Sequence, residues 1–249
     1  MRLRDLEAQS VLRAGERHGA FVVYRDPSQV DDGFLSALLP DPDRLFEAGQ
    51  AIQSPWQSAA TDKTIVEIRG KSYFLKRYNC LGSRYRLKSI VRTSRALKSW
   101  WAGWKFLELG LPTPRPVACL EERCFRLLGR SYILFDYWGD SWSLLDLWSE
   151  LSDVQRAQLL SVLGKELGKM HRQGVLHGDS NWRNILVSRV GTDVKISLID
   201  LDGSRFLRKL SRERAMRDLA HFLRDLSRSG APDELRAHFI DCWLKASGF

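Results

Sequence analysis

One stretch of polar and β-branched residues constrains the fold of this 249-residue chain more than any other. The tripeptide His-Gly-Asp occupies positions 177–179, and Asn184 follows its aspartate after four intervening residues. Apolar segments at 185–187 and 194–201 then flank a Gly-Thr-Asp turn, which predicts an antiparallel hairpin. Such a hairpin places Asn184 where the chain enters it and Asp200 near where the chain leaves it. The sequence therefore predicts that these separated polar residues face one site.

The order and spacing of the polar residues match a kinase catalytic loop followed by a metal-binding aspartate. Phosphoryl transfer needs a carboxylate that accepts the proton of the attacking hydroxyl, which is the role predicted for Asp179. It also needs oxygen ligands that hold Mg²⁺ against the nucleotide phosphates, which predicts Asn184 and Asp200 as metal ligands. The alternative is that all three are turn or loop residues, where Asp and Asn are favoured in any case. The spacing, the flanking strands and a preceding helix together favour the catalytic interpretation.

The composition is that of an ordinary globular protein. A length of 249 residues suits one large domain or two small lobes with a substantial core. The N-terminus is charged and has no apolar signal-peptide segment, and no run of about 18 apolar residues predicts a membrane span. The four cysteines are scattered without metal-ligand spacing, which favours reduced thiols in a cytoplasmic protein.

The net charge of +9 is more informative than the composition. Such a charge attracts phosphates, nucleic acid or anionic lipid surfaces. A solvated helix face is the alternative explanation for each basic cluster. The two clusters consist of Arg84, Arg86, Lys88, Arg92, Arg95 and Lys98, and of Arg205, Arg208, Lys209, Arg212, Arg214 and Arg217.

The clearest element of the first half is a β-hairpin. Segments 64–68 and 72–76 are predicted as strands around a tight Arg-Gly-Lys turn. Lys76 ends the second strand, where a kinase carries the lysine that pairs with the α- and β-phosphates of ATP. The alternative for Lys76 is an exposed lysine at a strand end. Residues 1–60 contain no Gly-x-Gly-x-x-Gly loop that would cover the phosphates.

A helix is predicted over 94–109, and Gly110 and a proline-rich segment end it. Glu108 is its one glutamate and lies in the last turn, so the usual glutamate partner of Lys76 is missing from the middle of the helix. The tryptophans of this helix are predicted to be core residues rather than cofactor contacts. The expected apolar stripe consists of Leu97, Trp101, Trp104 and Leu107.

A hinge is predicted where a strand over 131–135 runs into a glycine-containing bend. This hinge divides the chain into an N-lobe, residues 1–137, and a C-lobe, residues 138–249. Backbone groups from Asp136 to Trp138 are expected to hydrogen-bond an adenine edge.

The C-lobe is predicted to be mainly helical. A Ser-x-x-Gln capping box starts a helix at residue 152 that runs to residue 173. One or two basic amphipathic helices are expected, including segments 214–227 and 233–245. Asp218 is either a buried acceptor of hydrogen bonds from the catalytic loop or an ordinary surface carboxylate. The buried stripe of the first helix is predicted to contain Leu159, Leu163, Leu167 and Met170.

The strand lysine, the His-Gly-Asp and Asn pair and the later carboxylates together resemble the Kdo/heptose lipopolysaccharide-core kinases, small bacterial relatives of protein kinases. The similarity covers roughly residues 64–225 and includes Trp100 and the Leu-Pro-Thr-Pro-Arg-Pro segment. It implies an α+β, two-lobed protein-kinase-like fold with a small β-rich N-lobe and a reduced helical C-lobe. It also implies transfer of the ATP γ-phosphate to a heptose or Kdo hydroxyl of the lipopolysaccharide inner core, at the cytoplasmic face of the inner membrane.

The resemblance assigns roles residue by residue. Asp179 resembles the catalytic base and Lys76 the nucleotide-phosphate lysine. The implied cofactors are ATP and Mg²⁺. The metal ligands would be Asn184 and Asp200 with Asp202 as an auxiliary ligand, and His177 and Asp218 would support the loop.

Two departures from protein kinases favour a small-molecule or glycolipid acceptor. Gly178 replaces the arginine that in many protein kinases reads a phosphorylated activation loop, and a glycine makes no such charge-assisted bond. The tail after Asp202 contains no Ala-Pro-Glu and is too short for an activation segment and a full helical lobe. The basic surface would then dock on an anionic membrane or a phosphorylated glycolipid.

Other functions remain as alternatives. A phosphotransferase for a soluble aminoglycoside or choline-like compound shares His-Gly-Asp and Asn, but usually has an acidic pocket for its cationic substrate. A non-catalytic kinase-like binding module is the alternative from a different class. A nucleic-acid binder ranks last, because the tryptophans fall on core stripes and not on a stacking platform. The oligomeric state cannot be predicted.

Overall fold

The computed structural model describes residues 14–51, 59–80, 93–124, 127–190 and 193–249. The chain forms two compact units. The first comprises the described residues up to Trp104 and those of Arg115–Trp138, and the second comprises those of Lys105–Pro114 and Gly139–Phe249. No helix in these ranges is both long and apolar enough to cross a lipid bilayer. All four cysteines are free thiols.

The first unit is built on one antiparallel sheet. Its strands are β1 (Glu16–His18), β2 (Phe21–Arg25), β3 (Gln50–Ala51), β4 (Thr61–Ile68), β5 (Lys71–Tyr78), β6 (Pro116–Cys124) and β7 (Leu127–Asp136). They lie in the spatial order β1-β2-β6-β7-β5-β4-β3. The helices are α1 (Asp32–Leu38), α2 (Arg44–Ala48) and α3 (Arg95–Glu108), and the division between the units falls within α3.

The predicted hairpin is confirmed as β4 and β5, which are longer than expected. The turn residues Arg69 and Gly70 both have positive φ, 54° and 74°. Two positive φ values give the turn a twist that matches the strands it joins. β4 buries Val66 and Ile68 on its inner face, and these side chains join the main core cluster of the unit.

The apolar face of α3 is rotated relative to the prediction. Trp101 was expected in the buried stripe, but its side chain is 42% exposed, whereas Trp100 is 0% exposed. Trp100 packs with Ala96 and Leu97 against Cys119 and the neighbouring strands. The correction has a simple reason: adjacent helical residues point about 100° apart, and only the tertiary contacts decide which of two neighbouring tryptophans faces the sheet.

The second unit contains short sheets and five helices among the described residues. Its strands are β8 (Ser141–Ser143), β9 (Val175–Leu176), β10 (Ile185–Val190), β11 (Asp193–Leu198) and β12 (Arg205–Phe206). Its helices are α4 (Leu144–Leu147), α5 (Asp153–Arg172), α6 (Arg212–Asp218), α7 (Ala220–Arg228) and α8 (Asp233–Ser247). Short 3₁₀ turns cover Trp148–Glu150, Trp182–Asn184 and Leu201–Gly203.

α5 is the central helix of this unit. The predicted capping box of Ser152 and Gln155 is present. Its predicted stripe is fully buried, and two glycines allow α8 to approach closely. A Cβ added at Gly164 or Gly168 would lie 2.7 Å or 2.6 Å from a Cβ of α8. This contact brings a residue of α8 to the start of the catalytic loop, as described below.

Two predicted boundaries in this unit are wrong. The second strand of the β10–β11 hairpin was expected to reach residue 201, but β11 ends at Leu198. The helix predicted over 214–227 is two helices, α6 and α7, which meet at Leu219. Both breaks lie beside the candidate site, because they position Asp200 and Asp218.

Candidate active site

The predicted catalytic loop begins where α5 ends. Gly174, with φ 75°, reverses the chain into β9, which pairs with β12. The next residue, His177, has a fully buried side chain. Its Nδ1 atom accepts a hydrogen bond from the Asp179 backbone N–H at 3.3 Å. Burial lowers the pKa of His177, so this imidazole is neutral at pH 7 and serves as an acceptor inside the loop.

Gly178 occupies a position that no other residue fits. Its φ is 88°, in the left-handed region, and an added Cβ would lie 2.5 Å from the carbonyl oxygen of Gly203. That neighbour is backbone and cannot rotate away. The glycine in His-Gly-Asp is therefore required by the fold of the loop, and an arginine at this position would be excluded sterically.

Asp218 anchors the loop from the junction of α6 and α7. Its carboxylate accepts hydrogen bonds from the backbone N–H groups of His177, at 2.9 Å, and Gly178, at 2.8 Å. The side chain is only 4% exposed, so the buried one of the two alternatives is observed. Burial by itself would raise the pKa of Asp218, but these hydrogen bonds and one from His171 outweigh it, and the pKa lies below its usual value.

Two residues that the sequence did not single out extend this anchor. The Nε2 atom of His171 lies 3.1 Å from the Asp218 carboxylate. The other ring nitrogen, Nδ1, accepts a hydrogen bond from the indole N–H of Trp243 at 2.9 Å. Because Trp243 can only donate, His171 must carry its proton on Nε2 and donate it to Asp218. No local motif marks this chain of contacts, since α8 supplies Trp243 from far along the sequence.

Asp179 itself stands at the surface of this scaffold with 48% of its side chain exposed. Its Oδ1 atom accepts from Asn181 Nδ2 at 2.8 Å and lies 2.8 Å from Nδ1 of His221. Asn184 donates from Nδ2 to the backbone carbonyl of Asp179, at 3.0 Å, and to its Oδ2 atom, at 3.3 Å. The carboxylate is thus oriented by three side chains and remains accessible.

The exit of the hairpin returns to the same residues. The backbone N–H of Ile199 donates to the carbonyl of Asn184 at 3.0 Å. Asp200 follows with φ 64° and ψ 53°, a left-handed conformation that non-glycine residues seldom adopt. Ser204, after the turn that contains Asp202, donates to the carbonyl of His177 at 3.1 Å. The two predicted metal-ligand segments are therefore joined by backbone hydrogen bonding.

These residues suit a magnesium ion. Because Nδ2 of Asn184 is engaged with Asp179, its oxygen is the atom suited to a cation. In the described part of the chain no three His, Cys, Asp or Glu side chains cluster as a metal site. A set of one amide oxygen and the carboxylates of Asp200 and Asp202 nevertheless fits Mg²⁺, which proteins hold by one or two carboxylates together with substrate phosphates.

The remaining predicted site residues lie in the first unit. Lys76 is 5% exposed and not an exposed strand end, and its ammonium lies 4.7 Å from the centroid of the Tyr78 ring. The backbone N–H of Asp136 donates to Arg115 at 2.9 Å, and that of Tyr137 to Ser72 at 3.4 Å. Contacts of this stretch, up to Trp138, with an adenine must therefore come from its other backbone groups.

The contacts of Glu108 agree with the expectation that it is not the usual glutamate partner of Lys76. This glutamate forms an exposed i,i+3 ion pair with Lys105 at 3.0 Å. Within the first basic cluster, Arg95 lies over the Tyr78 ring at 4.8 Å. The basic residues at 84–92 lie outside the described residues. All six members of the second cluster, at 205–217, are exposed.

Comparisons with known proteins identify the family and the fold. The model of the lipopolysaccharide kinase (Kdo/WaaP) family matches residues 43–242. The chain is similar to a solved structure of WaaP in complex with acyl carrier protein, with a TM-score of 0.62 and 21% identity over 87% of this chain and 88% of that chain. This likeness confirms the predicted α+β, protein-kinase-like fold.

A second solved structure, the kinase domain of Mycobacterium tuberculosis PknI, is more distant. The TM-score is 0.41 at 17% identity, over 61% of this chain and 57% of that chain. A search of curated protein sequences finds no match.

Proposed function

Because this chain belongs to the lipopolysaccharide kinase (Kdo/WaaP) family, we propose that it transfers the γ-phosphoryl group of ATP to a heptose or Kdo hydroxyl of the lipopolysaccharide inner core. The proposal rests on the way in which the loop holds Asp179, with a fixed backbone and an accessible carboxylate. Its backbone is fixed through Asp218, which binds the two preceding N–H groups. Its carboxylate is oriented but accessible, as a base for an incoming hydroxyl must be.

In this mechanism Asp179 accepts the proton of the attacking hydroxyl as the new O–P bond forms, while the bond between the γ-phosphorus and the β–γ bridging oxygen breaks and ADP leaves. Asn181 and His221 both contact Oδ1 at 2.8 Å, whereas Oδ2 accepts the longer hydrogen bond from Asn184, at 3.3 Å. Oδ2 is therefore proposed as the oxygen that faces the acceptor. Asn184 fixes the distance between this oxygen and the metal ligands, because its Nδ2 atom binds Asp179 directly. The protein thus contributes orientation and a fixed arrangement of charges, which account for most of the catalysis in phosphoryl transfer.

The proposed magnesium ligands are Asn184 and Asp200, with Asp202 as an auxiliary ligand. When bound, Mg²⁺ would neutralise charge on the transferring phosphates. Lys76 is proposed to bind the α- and β-phosphates of ATP, and backbone groups between Asp136 and Trp138 to bind the adenine edge. Lys76 is buried and its ammonium lies over the ring of Tyr78, so its position is fixed, as phosphate binding requires.

The exposed basic cluster at 205–217 supports attachment to an anionic membrane surface. We propose that the protein is peripheral at the cytoplasmic face of the inner membrane, where its glycolipid acceptor would be presented. Each suitably placed Lys or Arg contributes about 1 kcal/mol of attraction. Sedimentation with anionic and neutral liposomes tests this: binding that is equal for both, or unchanged at high salt, would contradict it.

The decisive experiment measures Mg²⁺-dependent transfer of labelled γ-phosphate to purified lipopolysaccharide core. The wild type should label the core, and Asp179→Asn, which keeps the shape but removes the base, should not. Asp233→Asn is the matched control, because Asp233 is an exposed carboxylate at the start of α8 that forms an i,i+3 ion pair with Arg236 at 3.2 Å.

Other results would favour the alternatives. Tight Mg-ATP binding without core labelling would shift the acceptor to a soluble small molecule. The absence of any ATP binding would leave a kinase-like binding module.

A further inference from the structure

A cleft in the second unit is lined in part by residues 181–183, which follow the candidate base in the chain. Its volume is about 450 Å³, within the range of small-ligand sites. The segment that follows Asp179 forms one wall, and α7 forms the other with Arg224 and Arg228. Leu145, which is 42% exposed, adds an apolar surface at its edge.

The cleft is strongly cationic. Three guanidinium groups, of Arg183, Arg224 and Arg228, line it, against one carboxylate, that of Asp225. That carboxylate accepts a hydrogen bond from the backbone N–H of Trp182 at 3.0 Å and lies 4.0 Å from Nε of Arg224, so it offsets one of the three positive charges. A guanidinium group can donate two parallel hydrogen bonds to a pair of carboxylate or phosphate oxygens. The lining therefore selects an anion rather than the cationic substrates of aminoglycoside or choline kinases.

One side chain connects this cleft to the reaction centre. Asn181 lines the cleft, accepts from the Arg183 backbone N–H at 3.0 Å, and donates to Oδ1 of Asp179 at 2.8 Å. The same residue therefore borders the cleft and contacts the proposed base, so a ligand held by the arginines would lie beside a side chain that orients Asp179.

We infer that this cleft binds an anionic group of the acceptor glycan, a sugar phosphate or the carboxylate of a sugar acid. The inference rests on the proposed function, since it makes the cleft the acceptor site of that reaction. It also assigns a positioning role to Arg224 and Arg228, which no catalytic motif contains.

The test is the affinity for deacylated core oligosaccharide, measured by titration calorimetry without nucleotide. The double variant Arg224→Gln and Arg228→Gln should weaken binding roughly tenfold or more, since charge-assisted hydrogen bonds of this kind are lost. Affinity for Mg-ATP should stay at the wild-type value. Arg172→Gln removes one exposed arginine outside the cleft, and it should bind the oligosaccharide as the wild type does.

Dephosphorylated and carboxyl-reduced oligosaccharides distinguish the two anions. If the wild type and the double variant bind one of these modified oligosaccharides equally well, the group removed from that oligosaccharide is the one that the cleft binds. Arginine dependence that persists when both groups are removed would overturn the inference. So would wild-type affinity in the double variant, an equal loss in Arg172→Gln, or no binding by the wild type.

Binding and catalysis separate this inference from the proposed function. If the core oligosaccharide binds in a way that depends on the arginines but no phosphoryl transfer occurs, the proposed reaction is refuted and the role of the cleft in binding stands. Phosphoryl transfer with an unchanged acceptor KM in the double variant would retain the reaction and refute the cleft.

Discussion

Replacing Asp218 by asparagine tests whether one buried carboxylate holds the catalytic loop. One carboxylate oxygen accepts from both His171 and the His177 N–H, and the other accepts from the Gly178 N–H. An asparagine can keep its carbonyl oxygen at only one of these positions. In the better orientation its NH₂ group faces the Gly178 N–H, so that a donor meets a donor.

The cost follows from these three bonds. The two that remain change from charge-assisted to neutral, a loss of about 1 kcal/mol each, and the unmatched pair costs about 1–3 kcal/mol. Burial of the wild-type charge offsets part of this, so we expect a net loss of about 3 kcal/mol in the free energy of unfolding. For a chain of this size, the Tm should fall by roughly 6–12 °C.

The assay is thermal unfolding at pH 7, with Asp225→Asn as the matched control. One oxygen of Asp225 accepts a hydrogen bond from the backbone N–H of Trp182, and the other lies 4.0 Å from Nε of the half-exposed Arg224. An asparagine can turn its oxygen toward Trp182 and retain the hydrogen bond, and the loss of so long an ion pair costs little. The control should lose less than about 1 kcal/mol. A Tm of Asp218→Asn close to the wild-type value, or an equal drop in both variants, would refute the anchoring argument.

The pH dependence gives an independent check. The pKa of Asp218 is lowered in the folded state, so its contribution is fully present above the unfolded value of roughly 4 and is lost as the pH falls through the lowered pKa. The stability difference between wild type and Asp218→Asn should therefore be constant above roughly pH 5. It should shrink below roughly pH 4, and a difference that grows there would contradict the assignment.

Three further measurements test the same region. Gly178→Ala should lose at least about 2 kcal/mol of stability by chemical unfolding, whereas Gly230→Ala, with φ 71° and open space around it, should lose only about 1 kcal/mol; equal losses would refute the steric argument. Trp243→Phe should lower the Tm more than Trp104→Phe does. The indole N–H of Trp243 donates to His171, whereas that of Trp104 is buried without an acceptor among the described residues; the reverse order of the two Tm values would contradict this reasoning. Burial lowers the pKa of His177 in the folded state, so at low pH the unfolded chain binds a proton that the folded protein does not. The free energy of unfolding of the wild type should therefore fall as the pH drops below roughly 6.5, and it should fall less in His177→Phe. An equal dependence of stability on pH in both proteins would exclude this histidine as the cause.

Local sequence was sufficient for elements whose signals are local. The β4–β5 hairpin follows from alternation and a turn that tolerates positive φ, and the start of α5 follows from its capping box. The candidate base and metal ligands could be proposed from the sequence, because phosphoryl transfer requires these residue types in a fixed order along the chain. Their catalytic roles remain predictions, since they concern bound substrates.

Tertiary packing decided what local patterns leave open. Sequence spacing could not choose between Trp100 and Trp101 as the buried residue of α3, because both continue an apolar pattern and only the facing sheet distinguishes them. It could not find Trp243 or His171, because a hydrogen bond between distant helices has no local signature. The cationic cleft has the same origin: Arg183 follows the catalytic loop, Arg224 and Arg228 stand on α7, and only folding brings their charges together.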